Sequence, residues 1–374
     1  MATEVLEAML PYFREHFGNA SSAHVLGRRP EGALVQAREQ LAALFGCQSA
    51  ELVFNSGGTE GLNHAFRGVF EAFPAKRHFV ITAVEHPSIL ALADWLRRQG
   101  AEVTSIGVDS EGRLDLAQLK AALRSDTALV SVMAANNETG VIFPLEDVAA
   151  IVKEQGILLH VDAVQAAGKM PFDVARLGLD LANISAHKFG GPKGAGALFI
   201  RRGLRLKPFM VGGHQERDRR GGTENVPGIV GMGMAAERAR NHAMNHAMDT
   251  DEVRHWRDRL EHSLLSSVPG MGVNGSGAER LANTSLLSFK DIEGEALLLK
   301  LNEQGICVST GSACTTGQKE PSHVLRAMGV PAEYARGTIR ISLGFETTAD
   351  EIERVIMLVP EVVLALRSSG PMAR

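Results

Sequence analysis

The sequence predicts an α/β fold: a mostly parallel, seven-stranded type of sheet with helices on both faces, followed by a smaller α+β unit. Three observations carry this expectation. The short apolar runs ILLHV and LANIS are too short for helices and rich in branched residues, as strands buried on both faces are. Stretches with helical spacing separate them, so strand and helix signals alternate through the first two thirds of the chain. After about residue 248 that alternation gives way to a different order.

In chain order, Ala2 to Phe17 carries helical spacing, with Val5, Leu6, Met9 and Leu10 on one face. FGNASSAHVLGRRP reads as a polar loop, and Glu31 to Phe45 as an amphipathic helix stopped at Gly46. ELVFN is a short strand, followed by a Ser-Gly-Gly-Thr turn and a helix. HFVITAVEHPS ends a strand at Glu85 and His86, before a helix holding Ile89 to Leu96. EVTSIGV precedes a helix from Asp115 to Leu123, and ALVSVMAANNETG ends a strand at Asn136 and Asn137, before the helix Leu145 to Gln155. ILLHV delivers Asp162 and Gln165; LANIS delivers Ser185, His187 and Lys188. ALFIRR and the loop GGHQERDRRGGTENVPG follow. A long helical region then runs from Val226 to about Leu265.

Beyond it NTSLLSF, ICVST and TIRISLG read as strands, with helices at Gly294–Gln304 and Ala349–Leu366. The expected division is a large domain, 1–248, and a small domain, 249–374, that carries the segment around Cys314. The first ~15 residues are left open to packing with the small domain.

Composition excludes several functions. The net charge of −4 and the lack of a basic run argue against nucleic acid or an anionic membrane as partner. No apolar run approaches the ~20 residues of a membrane span, and the N-terminus lacks a signal-peptide layout. Cys47, Cys307 and Cys314 are odd in number and scattered, so a reduced, cytoplasmic setting is expected, with no metal site. His242 and His246, four apart on a helix, could clamp a metal, but no carboxylate motif accompanies them and an exposed face is the plainer account.

Ligands of open parallel sheets sit beyond the carboxyl ends of the strands. There the sequence places His86, Asn137, the Asp162/Gln165 pair and the Ser185/His187/Lys188 cluster. Ser56-Gly57-Gly58-Thr59 opens a helix, where free N–H groups and the helix dipole favour a phosphate. A phosphate cradle, a lysine and an aspartate together suit pyridoxal phosphate: the lysine forms a Schiff base and the acid keeps the ring nitrogen protonated. Lys188 and Lys193 compete for the first role. Lys188 directly follows a strand, whereas Lys193 sits in a Gly-Pro-Lys-Gly turn, so Lys188 is favoured.

Cys47 and Cys307, beside apolar residues, read as small buried hydrophobes. Cys314, in the polar segment VSTGSACTTGQKEPS, reads as an exposed thiol on a mobile loop, reactive or incidental. Arg340, inside an apolar strand, requires an anion: a protein carboxylate or a substrate carboxylate held by its planar fork.

Taken together, SAHKFGGPKG, HVDAVQAAGK, NNETG, VEHPS, NSGGTE, RGGTENVPG and STGSACTTGQKEPSHVLRAMG resemble the NifS/IscS-like cysteine desulfurases, pyridoxal-phosphate enzymes of the class V aminotransferase group. The likeness runs from about Val5 to Leu366 and to the branch with the longer cysteine loop. It implies the fold type I transferase architecture and a homodimer. Lys188 is then the Schiff-base lysine and α-proton base, Asp162 the partner of the pyridine nitrogen, and Gln165 the contact of the ring hydroxyl. His86 stacks on the ring and carries protons, and Asn137 contacts cofactor or substrate. Gly58, Thr59, Ser185 and His187 hold the phosphate, with Thr223 lent by the partner subunit. Arg340 binds the substrate carboxylate, and Cys314 takes sulfur from L-cysteine as a persulfide.

The sequence departs from the family pattern at both ends. The usual opening strand and Ala-Thr-Thr type segment are absent before Glu4, and the chain stops at SSGPMAR without the tail that IscS-type members turn towards a scaffold partner. The acceptor protein is therefore left open. Two alternatives stand beside the desulfurase: a selenocysteine lyase or aminotransferase relative with Cys314 incidental, and an impaired, partner-dependent scaffold.

Overall fold

The computed structural model describes residues 1–245, 247–310, 321–344 and 346–368. The chain divides into two units. One comprises Met1–Ile106, Leu116–Ala134 and Pro144–Asn245; the other comprises Gly107–Asp115, Ala135–Phe143 and His246–Arg374. Two short segments within 1–248 thus belong with the C-terminal unit.

The larger unit holds helices α1 (Thr3–Met9), α2 (Pro11–Arg14), α3 (Val25–Phe45), α4 (Gly58–Ala72), α5 (Pro87–Arg98), α6 (Leu116–Ala122), α7 (Leu145–Glu154), α8 (Gln215–Asp218) and α9 (Val226–Asn245). Its strands are β1 (Leu52–Asn55), β2 (His78–Thr82), β3 (Glu102–Ile106), β4 (Thr127–Met133), β5 (Leu158–Asp162), β6 (Leu181–Ser185) and β7 (Gly196–Ile200). They form one seven-stranded sheet in the order β1-β7-β6-β5-β4-β2-β3. Pairing is parallel from β6 through β5, β4 and β2 to β3, and β7 alone runs against its neighbours β1 and β6. The reversal follows from the link: a parallel return needs a crossover of a dozen or more residues, usually a helix, and the glycine-rich turn after β6 has none.

Burial explains why these strands carry no polar alternation. Every residue of β1, β2, β4, β6 and β7 is buried. Leu62, Phe66 and Val69 of α4 pack with Ile89 and Leu96 of α5 onto Val53, Phe79 and Ile81 of the sheet. Each such side chain contributes roughly 1.5–3 kcal/mol on burial.

The opening residues differ from the expected single helix. Pro11 lacks the N–H that would continue α1 and instead begins α2. Val5 and Met9 pack against Ala235 of α9, so this segment belongs with the larger unit. Helix α3 starts at Val25, six residues before the expected Glu31, and carries Pro30 inside it. The last residues of the expected polar loop are thus helical, and that first turn packs tightly: a Cβ on Gly27 would collide with the carbonyl of Ser22.

The smaller unit contains α10 (Ala247–Ser267), α11 (Gly294–Glu303), α12 (His323–Ala327), α13 (Ala332–Ala335) and α14 (Ala349–Ser368). Its antiparallel sheet has the order β10-β11-β9-β8, from β8 (Met271–Val273), β9 (Thr284–Phe289), β10 (Ser309–Thr310) and β11 (Thr338–Ser342). Leu260, Leu264, Phe289, Leu297, Ile339 and Val359 form its core. ICVST yields only the two-residue β10, and Cys307 is exposed, not buried as expected. Cys47 is half-buried, and burial pushes its thiol up to about 12.

Candidate active site

The parallel strands of the larger unit all end on one edge of the sheet, and of the residues expected there His86, Asp162, Gln165, Ser185, His187 and Lys188 stand at or just beyond those ends. Asp162 ends β5 and is only 7% exposed. Its Oδ1 accepts from the N–H of Val164 at 3.0 Å and from Nδ2 of Asn183 at 3.5 Å; among the described residues both bonds fall on Oδ1. Burial lifts the carboxyl to about 6, against those two hydrogen bonds and the charge of Lys188, which pull it down. Lys188 lies on the 3₁₀ turn Ala186–Lys188 directly after β6, with its side chain exposed. It acts electrostatically on Asp162 across the ends of two adjacent strands.

The turn between β1 and α4 faces the same edge. Gly57 has φ +144°, and an added Cβ would stand 3.4 Å from Ser185 Oγ; one on Gly58 would stand 3.1 Å from Val164 Cγ2. At Gly57 the positive φ favours glycine, and at Gly58 a side chain would press on Val164. First-turn amides of a helix have no intrahelical acceptor and carry the positive end of the dipole. His187 is held below its usual value by burial and then by the charges of Lys188, Lys193 and Lys169. Three ammonium groups acting on one ring, two residues past Ser185, make its surroundings suited to an anion.

His86 caps α5: its Nδ1 accepts from the N–H of Ser88 at 3.2 Å and lies 3.1 Å from Ser88 Oγ. With Nδ1 engaged as acceptor, a neutral ring carries its proton on Nε2. Ser88 Oγ is also 3.1 Å from Thr59 Oγ1, joining the cradle to the histidine. Glu85, wholly buried, accepts from Thr82 Oγ1 at 2.8 Å and from the N–H of Met133 at 3.0 Å through Oε1. Burial, then the charge of Asp162, pushes its carboxyl well above the usual range. Gln165 follows Asp162 in the next turn, where its Oε1 accepts from Lys169 Nζ at 2.8 Å.

Other expected site residues stand elsewhere. Thr223 is exposed and lines a cleft with Asn55, Ser56, Gly194 and Asn225. Asn137 lies past the end of β4, in the segment that belongs to the smaller unit. There the Asn136 side chain builds the turn by accepting from the N–H groups of Glu138 and Thr139. Arg340 of β11 donates from Nη1 to the carbonyl of Asn137 at 2.7 Å. Its charge also draws down Glu138, whose carboxyl burial raises to about 7 and whose Oε2 accepts from Ser322 at 2.6 Å. The protein-carboxylate option for Arg340 is thus partly met. Cys314 and the side chains of His242 and His246 lie outside the described residues. Among the described residues no group of three or more metal-ligating side chains could hold a metal ion.

Three residues that bear on this edge, Ser88, His160 and Asn183, were missed in the sequence, and Glu85 was named there only as the end of its strand. Glu85 and Ser88 flank His86, while His160 and Asn183 stand two positions before Asp162 and Ser185. Alternation would have flagged the last two, since strand residues two apart share a face.

Comparison with known proteins gives the family. The aminotransferase class-V family model matches residues 1–355. Cysteine desulfurase 2 of Trichormus variabilis is 51% identical over 368 residues, covering 98% of this chain and 92% of that one. Cysteine desulfurase NifS of Azotobacter vinelandii is 47% identical over 369 residues, covering 98% and 91%. A solved NifS-like protein superposes with a TM-score of 0.92 at 39% identity, covering 98% and 97%. The chain belongs to the aminotransferase class-V family, among its NifS-like cysteine desulfurases.

Proposed function

We propose that the chain carries out the reaction of its family: L-cysteine is converted to L-alanine, and the sulfur is held as a persulfide on Cys314 for iron–sulfur cluster assembly or a related supply. The observation that carries this reading is the gathering at one sheet edge of an amine, a buried carboxylate and an anion cradle. These are Lys188, Asp162 and the Gly57–Gly58 turn beside Ser185.

The residues fit pyridoxal 5'-phosphate. Asp162 keeps Oδ2 clear of both hydrogen bonds it accepts, and burial penalises its charge until a cationic N–H faces it. The glycine turn leaves room for a phosphate where a Cβ would intrude. Bound there, the cofactor would supply an aldehyde that captures amines and a protonated ring that accepts electrons.

Lys188 Nζ would hold the cofactor and then serve as base for the substrate Cα proton. Asp162 would keep the ring nitrogen protonated, and Gln165 would meet the ring hydroxyl. His86, whose Nδ1 accepts from the N–H of Ser88, would stack on the ring and carry protons at Nε2. Gly58, Thr59, Ser185 and His187 would hold the phosphate, joined by Thr223 of a second copy in a homodimer. Four large apolar side chains, Phe13, Phe17, Val25 and Leu26, stand more than half exposed, which suits such an association. Arg340 takes the substrate carboxylate with its fork, beside Asn137. The Cys314 thiolate takes the substrate sulfur, and the balance closes without an oxidant: thiol plus cysteine gives persulfide plus alanine.

No helix among the described residues is long and apolar enough to cross a membrane; we place the protein in the cytoplasm, where thiols stay reduced. The test is an absorbance spectrum of the purified protein before and after L-cysteine, with alanine and enzyme-bound persulfide assayed together. Cofactor absorbance that changes with L-cysteine, and persulfide abolished by Cys314→Ala, is the expected result. Persulfide formation that survives Cys314→Ala overturns the role of Cys314, and no alanine from the cofactor-loaded protein overturns the activity.

A further inference from the structure

Four polar side chains form a row across one face of the large sheet. Register sets Ser131 of β4 opposite His160 of β5, and Asp162 of β5 opposite Asn183 of β6. Ser131, His160 and Asn183 are completely buried. Ser131 Oγ lies 2.8 Å from His160 Nδ1, His160 Nε2 lies 2.7 Å from Asn183 Oδ1, and Asn183 Nδ2 reaches Asp162 Oδ1 at 3.5 Å.

Chemistry fixes the direction of every link. A carboxylate only accepts, so Asn183 must turn its Nδ2 towards Asp162. Its Oδ1 then faces His160 and accepts, which places the ring proton on Nε2. Nδ1 is left with a lone pair, and the Ser131 hydroxyl donates to it. Burial lowers His160 to about 4, which keeps the ring neutral as this order requires. Helix α4 holds the row in place. The edge-on ring of Phe66 is 5.8 Å from that of His160, and a Cβ on Gly61 would come within 3.0 Å of Asn183 Cβ.

We propose that Asn183, oriented by His160 and Ser131, is a positioning residue that ties down Asp162 through Oδ1 and reserves Oδ2 for the cofactor's ring nitrogen. The role rests on the reading that pyridoxal phosphate occupies this edge. All donors in the row point towards the carboxylate, so the row favours its charged form against the cost of burial. The 3.5 Å link is the loosest and is the one a facing ring cation would tighten.

The test compares wild type with Asn183→Ala, His160→Leu and His160→Gln. Two readouts are taken: the dissociation constant from titrating cofactor-free protein with pyridoxal phosphate, and the pH titration of the bound cofactor's absorbance. Asn183→Ala should weaken binding roughly ten- to a hundredfold, the worth of a hydrogen bond to a charged group. The acid limb of its titration should move to higher pH, because an unassisted carboxyl takes up its proton sooner. His160→Leu should move both readouts the same way by less, and His160→Gln, which restores a donor to Asn183 Oδ1, should return them towards wild type.

A folded Asn183→Ala protein with wild-type affinity and acid limb overturns the proposal. So does a His160→Gln protein no nearer to wild type than His160→Leu, and this pair decides the matter if Asn183→Ala does not fold. A wild type that takes up no pyridoxal phosphate overturns the cofactor reading and this role with it. A wild type that binds while the variants bind equally overturns the positioning role alone.

Discussion

Asp162→Asn should change stability in a pH-dependent way whose sign depends on whether the cofactor is present. In the cofactor-free protein burial raises the carboxyl from 3.8 to about 6. At about 1.4 kcal/mol per unit, that difference is worth roughly 3 kcal/mol. A raised folded value means that the native state still holds a proton which the unfolded chain has released. Its stabilising contribution is full below the unfolded value and is lost as pH rises through the folded one. Wild type should therefore lose about 2–3 kcal/mol relative to Asp162→Asn between pH 4 and pH 7. Asparagine has nearly the same shape and does not titrate. The comparison also cancels His64 and His160, each lowered to about 4 chiefly by burial, whose contributions run the other way. Urea unfolding of both cofactor-free proteins across this range gives the difference curve directly. Loading pyridoxal phosphate should flatten or invert it, because a ring cation would keep Asp162 ionised. A flat difference curve in the cofactor-free proteins would refute the reasoning, since the carboxyl would then be as well solvated as in the unfolded chain.

Further outcomes are expected elsewhere. Glu216, Arg217 and Asp218 form a left-handed turn at φ 48°, 57° and 63°, a conformation that costs about 1–2 kcal/mol per residue. Arg217→Gly should raise the thermal midpoint. Arg38→Ala should lower it, with a loss of about 3–5 kcal/mol of stability in urea unfolding, because the buried Glu216 carboxylate would lose its two-pronged partner at 2.5 and 3.0 Å. In the smaller unit, Glu261→Ala strands Arg280, whose side chain is 6% exposed and paired at 2.8 Å, and calorimetry should show a loss of similar size, about 3–5 kcal/mol. Gly58→Ala should weaken pyridoxal phosphate binding in a fluorescence titration, since the new methyl would stand 3.1 Å from Val164 Cγ2; unchanged affinity would place the phosphate elsewhere. Arg340→Lys should raise KM for L-cysteine about tenfold or more with a smaller effect on kcat, because an ammonium cannot reproduce the planar fork.

The sequence by itself determined the α/β class, the strands that end on polar residues, and the motifs that identify the family. Each of these depends on local pattern: apolar runs bounded by turn residues, glycines where the backbone must come close, and quoted motifs at fixed spacing. Local rules also misled. The polar composition of FGNASSAHVLGRRP suggested a loop although helix α3 already begins at Val25, and the apolar neighbours of Cys307 suggested burial that β10 does not provide.

Only the tertiary structure decided which polar residues act together. His160 and Asn183 are 23 positions apart, and they meet because β5 and β6 pair in one register. Equally, only the fold assigned Asn137 to the smaller unit with Arg340, 203 positions away. Strand pairing and burial are set by contacts between distant segments, and they decide which side chain faces which partner and how far each proton affinity moves. A one-dimensional pattern names the groups; the dielectric and the neighbours that give them their chemistry exist only once the sheet has closed around them.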